Sequence, residues 1–396
     1  MLVGIVGKAN VGKSTFFKAL TMSDILIANY PFATIKPNHG IGYSKIDCVD
    51  TFFKTQCNPR FGSCINHHRF VPVDVIDVAG LVPGASEGLG LGNQFLGDLN
   101  EADVLINVID AAGATNEKGE PANPGTFDPS NDIRFLEREL DMWYYQIMMR
   151  GWERFARTLK QEGKDPVKAI SKQMSGLRVS EGMVIDAFRL LELPDDVSLW
   201  GEQELKAIAS YLRRKSKPMV IAANKMDLPE ARHNIKKLKE DFPELMIIGC
   251  SADYELALRE ANKKGLIAYE PGANTFEVKG SLNEQQKKAL EFIQKNVLDA
   301  CGSTGVQDVL NHAVFDLLHY IAVYPGGVNK LADKDGNVLP DCFLMPPGST
   351  ALDFAFRLHT DFGKNFIKAI DVKTKMPVGR EHKLKHCDVV EIMANK

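Results

Sequence analysis

Leu2-Val3-Gly4-Ile5-Val6-Gly7-Lys8-Ala9-Asn10-Val11-Gly12-Lys13-Ser14-Thr15 stands near the start of the 396-residue chain. Its first five residues are apolar and predict a buried strand, and the apolar residues after Thr15 predict a helix. The turn between them fits G-x-x-x-x-G-K-[ST] at every fixed position. This order of strand, glycine-rich turn and helix predicts an α/β fold built on a mixed or parallel sheet.

The turn has the chemistry of a phosphate-binding loop. Gly7 and Gly12 allow backbone angles that point several N–H groups inward, and the following helix adds the positive end of its dipole. We expect Lys13 to reach the β- and γ-phosphates of a nucleotide and the Ser14 hydroxyl to hold Mg²⁺. The residues expected to contact nucleotide here are Gly7, Ala9, Asn10, Val11, Gly12, Lys13, Ser14 and Thr15. The alternative interpretation is an ordinary glycine-rich turn.

Two further segments carry groups for a metal ion and a γ-phosphate. Thr34 lies in a proline-containing loop, from which a threonine can reach Mg²⁺ and sense the γ-phosphate. Asp77 ends an apolar stretch and can hold Mg²⁺, and the N–H of Gly80 can contact the γ-phosphate. We therefore predict Ser14, Thr34 and Asp77 as metal ligands, and Lys13, Thr34 and Gly80 as the catalytic group.

A third motif predicts recognition of guanine. The apolar run Met219 to Ala223 leads into Asn224-Lys225-Met226-Asp227. A carboxylate at Asp227 can accept hydrogen bonds from N1–H and the 2-amino group of guanine, and adenine lacks that pair of donors. Asn224 would brace the loop, and the stem of Lys225 can cover the base. After the next apolar strand, the N–H groups of Ser251 and Ala252 could contact the guanine oxygen.

The pattern along the chain predicts four segments. Residues 1–131 and 216–320 form the two parts of a nucleotide-binding domain, and 132–215 form a helical insertion, interpreted as a hairpin of long helices. The aromatic stripe Trp143, Tyr144, Tyr145 and Trp152 is interpreted as helix–helix core. Residues 321–396 alternate strands with one helix, which predicts a small mixed domain with an excess of basic residues on its surface. That surface could contact RNA or simply be solvated.

Composition limits the function classes. The net charge is −3, so any nucleic-acid contact must come from a local patch. We find no apolar run long enough to span a membrane and expect a cytoplasmic protein. Seven cysteines in a chain of this size argue against a secreted disulfide framework. Cys57, Cys64, His67 and His68 cluster in sequence, but their spacing matches no common zinc pattern. Reduced cysteines in a loop, or a Cys57–Cys64 disulfide in a hyperthermophile, are the favoured interpretations.

Together, these motifs resemble the Obg-like P-loop GTPases, and within them the archaeal type of YchF-related GTPase. The resemblance rests on residues 10–15, 29–34, 77–85 and the glycine-rich run through Asn93, and the stretch 345–355 resembles a TGS domain. It implies a Rossmann-like GTPase domain with a helical insertion and a C-terminal, ubiquitin-like β-grasp domain. It also implies loops that change with the γ-phosphate state, and the ribosome or another translation RNA as partner.

The resemblance further implies a particular kind of turnover. The residue after D-x-x-G is Leu81, which cannot orient water as glutamine does in many GTPases, so slow intrinsic GTP hydrolysis is expected. Asn10 matches an asparagine that coordinates K⁺ in K⁺-stimulated relatives. Many YchF relatives have altered N-K-x-D and prefer ATP, whereas Asn224-Lys225-Met226-Asp227 is intact, so we expect GTP and GDP as ligands. The alternatives are an ATPase of the same fold and a non-enzymatic RNA-binding scaffold with structural nucleotide.

Overall fold

The computed structural model describes residues 1–22, 39–78 and 99–395. Its larger sheet has seven strands: β1 Leu2–Val6, β2 His39–Asp47, β3 Ser63–Ile65, β4 His68–Asp77, β5 Val104–Asp110, β6 Met219–Asn224 and β7 Met246–Gly249. Their order in the sheet is β2-β4-β1-β5-β6-β7, with β3 paired to β4. β1 and β4 to β7 run parallel, and β2 and β3 run antiparallel to β4. The predicted mixed α/β sheet is confirmed.

Helices cover both faces of this sheet, because its central strands are apolar on both sides. Strand β5 is buried throughout. One face packs against the helices Lys13–Thr21, Ala252–Lys263 and Val306–Asn311. The other face packs against Ser130–Met149 and Pro229–Asp241. The parallel strands therefore present their carboxyl ends at one edge of the sheet, where ligands bind in folds of this type.

The middle of the chain is helical but is not a simple hairpin. The two longer helices, Ser130–Met149 and Glu202–Ser216, pack against each other as the hairpin prediction requires. Three shorter helices lie between them in sequence: Trp152–Glu162, Pro166–Gln173 and Glu181–Leu190. Gly151 and Gly163 have positive φ angles and lie at the ends of the helices Ser130–Met149 and Trp152–Glu162, which accounts for the interruption there. The predicted hairpin of long helices is therefore wrong about the connection between them, which contains three shorter helices.

The aromatic stripe of this region lies in a core, as predicted. Tyr144 and Trp152 are buried, and the ring of Trp152 stacks on Trp200 with centroids 5.6 Å apart. Tyr144 Oη hydrogen-bonds with Ser216 Oγ at 2.7 Å, which satisfies its hydroxyl inside the core. These rings therefore hold the helices together.

A second sheet occupies the end of the chain and has five strands: β10 Ile321–Pro325, β11 Phe343–Met345, β12 Phe366–Asp371, β13 Met376–Val378 and β14 Asp388–Ala394. Their order in the sheet is β11-β10-β14-β12-β13. The helix Ala351–Leu358 packs on it and starts with a capping box between Thr350 and Asp353. A short helix, Thr360–Lys364, follows. The predicted helix on a curled β-grasp sheet is confirmed.

The remaining elements join the two sheets. A two-stranded ribbon pairs β8 Ile267–Tyr269 with β9 Phe276–Val278. The helix Glu284–Ile293 continues through a π-helical turn, Gln294–Leu298, into Asp299–Cys301. The helix Val306–Asn311 continues through a second π-helical turn, His312–Leu317. Among the described residues, no helix has the length and apolar character needed to cross a membrane.

Candidate functional site

The phosphate-loop motif connects β1 to the helix Lys13–Thr21, as the sequence predicts. Its two fixed glycines are required by the fold. Gly7 has φ +150°, and a Cβ there would lie 2.4 Å from the carbonyl oxygen of Val108. Gly12 has φ +92°, and a Cβ there would lie 2.2 Å from Asn224 Nδ2. The loop therefore follows a path that side chains would block.

The start of the helix presents polar groups suited to an anion. The helix Lys13–Thr21 is capped by Gly12, which has no side chain, so no capping side chain covers the first N–H groups of the helix. Ser14 lies in the first turn and is exposed, as are Ala9 and Asn10. Val11 and Thr15 point further inward, with Val11 fully buried. The exposed hydroxyl of Ser14 can reach a ligand.

Lys13 forms an ion pair with Asp77, the last residue of β4. The two meet because β4 lies beside β1 in parallel register, with Ile5 opposite Asp77. Both side chains keep some exposure, 12% for Lys13 and 17% for Asp77. One cation for phosphate and one carboxylate for a metal ion thus lie together, with Ser14 in the neighbouring turn. The donor set fits Mg²⁺.

Three other predicted features lie outside the described residues. They are Thr34, Gly80 and the glycine-rich run from Gly84 to Asn93.

Asn224 joins the guanine motif to the phosphate loop. It ends β6 and is buried, and its Nδ2 donates to the carbonyl oxygen of Val11 at 2.9 Å. Its Oδ1 accepts a hydrogen bond from the N–H of Ala252 at 3.0 Å. Ser251 Oγ donates to Asp227 Oδ1. The structure therefore brings together four of the five residues predicted for this part of the site: Asn224, Asp227, Ser251 and Ala252.

Lys225 is held by Asp110, a residue that the sequence motifs do not single out. Lys225 has φ 66°, and its Nζ lies 2.8 Å from Oδ2 of Asp110. Asp110 is buried and also accepts hydrogen bonds from Thr115 Oγ1 and the N–H of Ala112. Asp110 ends β5 as Asp77 ends β4 and Asn224 ends β6. The position of Asp110 at the end of an apolar strand is the sequence signal that could have identified it.

The loop from Thr115 to Pro121 packs against the phosphate loop. The sequence motifs do not single out this loop either. Asn10 Nδ2 donates to the carbonyl oxygen of Gly119 at 2.8 Å. Lys8 Nζ donates to the carbonyl oxygen of Thr115 at 3.0 Å and pairs with Asp132 Oδ1 at 2.8 Å. Burial raises the pKa of Asp132 to about 6, against the opposing effect of the Lys8 ammonium. These bonds hold the outer side of the phosphate loop.

Family models match most of the chain in three sections. Residues 2–126 match a 50S ribosome-binding GTPase model, and residues 222–327 match the G4 motif-containing domain of the YGR210-like Obg-like GTPases. Residues 332–394 match the TGS domain.

Full-length relatives support the same assignment. GTP-binding protein MJ1332 of Methanocaldococcus jannaschii is 47% identical over 99% of this chain and 99% of its own. Ribosome-binding ATPase YchF of Pasteurella multocida is 30% identical over 92% of this chain and 86% of its own. The chain belongs to the Obg-like, YchF-related GTP-binding proteins. A crystal structure of a GTP-binding protein from Pyrococcus horikoshii shares its fold, with 40% identity, a TM-score of 0.77 and full coverage of both chains.

This membership confirms the predicted resemblance and the predicted class of nucleotide hydrolase. Within the family, this Obg-like chain keeps the complete N-K-x-D sequence at positions 224–227.

The Cys57, Cys64, His67 and His68 cluster does not assemble as a set. His67 Nδ1 lies 3.0 Å from Asp50 Oδ1, whereas His68 Nδ1 pairs with Glu270 Oε1 at 2.7 Å. Cys57 and Cys64 are free thiols, so the disulfide alternative is wrong for this pair. The histidines diverge because His67 lies in the turn before β4, with φ 61°, whereas His68 is the first residue of β4.

Proposed function

We propose that this protein is a Mg²⁺-dependent GTP hydrolase with slow intrinsic turnover that acts as a nucleotide-controlled switch. The observation that carries the proposal is the contact of Asn224 with Val11 and Ala252, which ties the guanine motif to the phosphate loop. Asp227 would accept the guanine donors, with Ser251 and Ala252 beside it. An unpaired carboxylate would then discriminate against adenine.

The residues at the phosphate end of the proposed site have separate roles. Lys13 would contact the β- and γ-phosphates, and the loop N–H groups between Gly7 and Thr15 would surround them. Mg²⁺, held by Ser14, Asp77 and the predicted Thr34, would neutralise charge on the phosphate oxygens. Gly80 would donate its N–H to the γ-phosphate. Leu81 offers no group to orient water, which accounts for slow turnover without a partner.

Potassium is proposed as a further ligand at Asn10, which matches the K⁺-coordinating asparagine of related GTPases. The Asn10 amide donates to Gly119, which fixes the side chain beside the phosphate loop. The test compares GTP hydrolysis at equal ionic strength in K⁺ and Na⁺. A faster rate in K⁺ that is lost in Asn10→Ala supports this role, and equal rates in the wild type contradict it.

The proposed partner is the ribosome or another translation RNA, in the cytoplasm. Relatives are named for ribosome binding, and the C-terminal domain carries exposed basic residues on its surface. They are Arg357, Lys364, Lys368, Lys375, Arg380, Lys383 and Lys385. Cosedimentation with ribosomes from the source organism, with a GTP analogue or GDP, tests this. Binding that depends on the nucleotide supports a switch, whereas equal binding in both states supports a scaffold.

Hydrolysis itself separates the main proposal from its alternatives. The purified protein should release phosphate from GTP slowly and from ATP far more slowly, and Lys13→Ala should remove the GTP activity. Preferential ATP hydrolysis would support an ATPase of the same fold, as the names of several relatives at about 27–30% identity suggest for those proteins. Nucleotide binding with no turnover would support the scaffold.

A further inference from the structure

Three thiols and a carboxylate converge beyond the end of β2, which pairs with the start of β4, whereas Asp77 of the phosphate site is the last residue of β4. The ligand atoms of Cys48, Asp50, Cys57 and Cys64 all lie within 4.8 Å of one another. Cys48 and Asp50 follow β2, Cys57 lies in the next loop, and Cys64 lies on β3. The geometry points to a structural zinc site with three cysteine ligands and one aspartate ligand.

The spacing of these atoms suits a tetrahedral ion. Cys48 Sγ and Cys57 Sγ are 3.4 Å apart, and Cys64 Sγ is 3.6 Å from Asp50 Oδ2. Zinc–sulfur bonds of about 2.3 Å place two tetrahedral sulfur ligands roughly 3.8 Å apart. Small side-chain adjustments would therefore accommodate the ion.

Asp50 brings a buried carboxylate to the three thiols. Asp50 is fully buried, and Cys48 and Cys57 are each 3% exposed. Asp50 Oδ2 faces the thiol of Cys64 and the N–H of Cys57, and thiols are only weak donors. A buried carboxylate is stable when it is paired or coordinates a metal. Asp50 Oδ1 contacts His67, and a cation between the three sulfur atoms and Asp50 would pair with the other oxygen, Oδ2.

The surrounding groups fit the role of outer ligands. His67 Nδ1 lies 3.0 Å from Asp50 Oδ1, the oxygen opposite the thiols, and would orient the carboxylate. Arg69 is buried, and its Nη1 lies 3.6 Å from Cys57 Sγ. Three thiolates, one carboxylate and Zn²⁺ carry a formal charge of −2, which the Arg69 guanidinium would partly balance.

The site would fasten the two sheets together. Cys48 and Cys57 belong to the apolar cluster that contains Tyr324, on β10, and Leu339. Arg69 donates to the carbonyl oxygens of Leu339 and Pro340 at 2.9 Å. Zinc would therefore fix the segment from Cys48 to Cys64 against the C-terminal sheet.

The metal content of the full chain tests the proposal. Protein purified under reducing conditions, without chelator and after reconstitution with Zn²⁺, should hold about one zinc per chain by mass spectrometry of the elements. Cys57→Ser should lose it. Cys301→Ser, which removes an exposed cysteine elsewhere, should retain it. Zinc retained by Cys57→Ser, or absent from the reconstituted wild type, overturns the proposal.

Two measurements on folded protein keep the test decisive if Cys57→Ser does not fold. Co²⁺ added to the metal-free wild type should give the intense absorption of tetrahedral thiolate coordination, and Asp50→Asn should change its d–d bands. Chelator should lower the melting temperature of the wild type and of Cys301→Ser. An octahedral Co²⁺ spectrum contradicts the site. So does an intact mass of the reduced sample that is about 2 Da below the value for free thiols, because it shows a disulfide.

Discussion

The side-chain amide of Asn224 donates a 2.9 Å hydrogen bond to the carbonyl oxygen of Val11, a residue 213 positions earlier in the chain. Its amide oxygen accepts a bond from the N–H of Ala252. One buried side chain therefore positions the phosphate loop relative to both segments expected to contact the base.

Asn224→Ala should weaken nucleotide binding and stability together. The substitution leaves the Val11 carbonyl and the Ala252 N–H without their partner, at a cost of about 1–3 kcal/mol. The affinity for GDP should fall about tenfold or more, measured by titration calorimetry. Asn234→Ala removes one amide bond, to the carbonyl of Ala111, without touching the phosphate loop. Equal losses of GDP affinity in the two variants would contradict the bridging role.

Gly12→Ala should be more harmful than the same change at another glycine with positive φ. Its new Cβ would meet Asn224 Nδ2 at 2.2 Å in addition to the backbone strain. Gly163 has φ +61°, and a Cβ there would have nothing within 4 Å, so Gly163→Ala reports strain alone. Chemical denaturation should give the larger loss for Gly12→Ala. The extra destabilisation of Gly12→Ala should shrink in an Asn224→Ala background, because the clashing amide is then absent. If it does not shrink, the clash is contradicted.

Asp77→Asn should separate metal binding from nucleotide binding. Asparagine keeps the shape of the side chain but removes the charge expected to hold Mg²⁺, and it releases Lys13 from its ion pair. Binding of a non-hydrolysable GTP analogue in EDTA should be equal or stronger, and the gain on adding Mg²⁺ should fall about tenfold or more. Asp103→Asn, which breaks a pair with Arg178, is the control. An unchanged Mg²⁺ effect in Asp77→Asn would exclude Asp77 as a ligand.

Asp132 should make stability fall as the pH rises from about 4 to 6. Its pKa is raised from 3.8 to about 6 by burial, so across this range the folded chain binds the proton that the unfolded chain has lost. The wild type should therefore lose up to about 3 kcal/mol relative to Asp132→Asn over that range. Urea denaturation at several pH values measures this. Asp195→Asn, at an exposed carboxylate, should run parallel to the wild type. A parallel Asp132→Asn curve would contradict the shifted pKa.

The sequence alone was sufficient for features whose signals are local. The strand and turn from Leu2 to Gly12 predicted the phosphate loop, and the helical spacing of apolar residues within 132–215 predicted helices there. Each depends on residues close in sequence, whose conformational preferences do not need the rest of the fold. The alternation of apolar strands with helices likewise predicted the α/β sheet.

Contacts across long stretches of chain could not be predicted in the same way. Asp110 meets Lys225 across 115 positions, and Asn10 meets Gly119 across 109. A carboxylate after an apolar strand identifies an edge of the sheet but not its partner. The metal-capable group illustrates the same point, because His68 lies near Cys64 in sequence yet turns to Glu270, while Cys48 and Asp50 approach from the end of β2.

The central claim is that this site recognises guanine through Asp227. The most direct test is titration calorimetry of nucleotide-free protein with GDP and ADP, each with Mg²⁺, on the wild type and on Asp227→Ala. The account predicts a preference for GDP of about 100-fold or more in the wild type that largely disappears in the variant. Equal or tighter binding of ADP by the wild type would contradict the account.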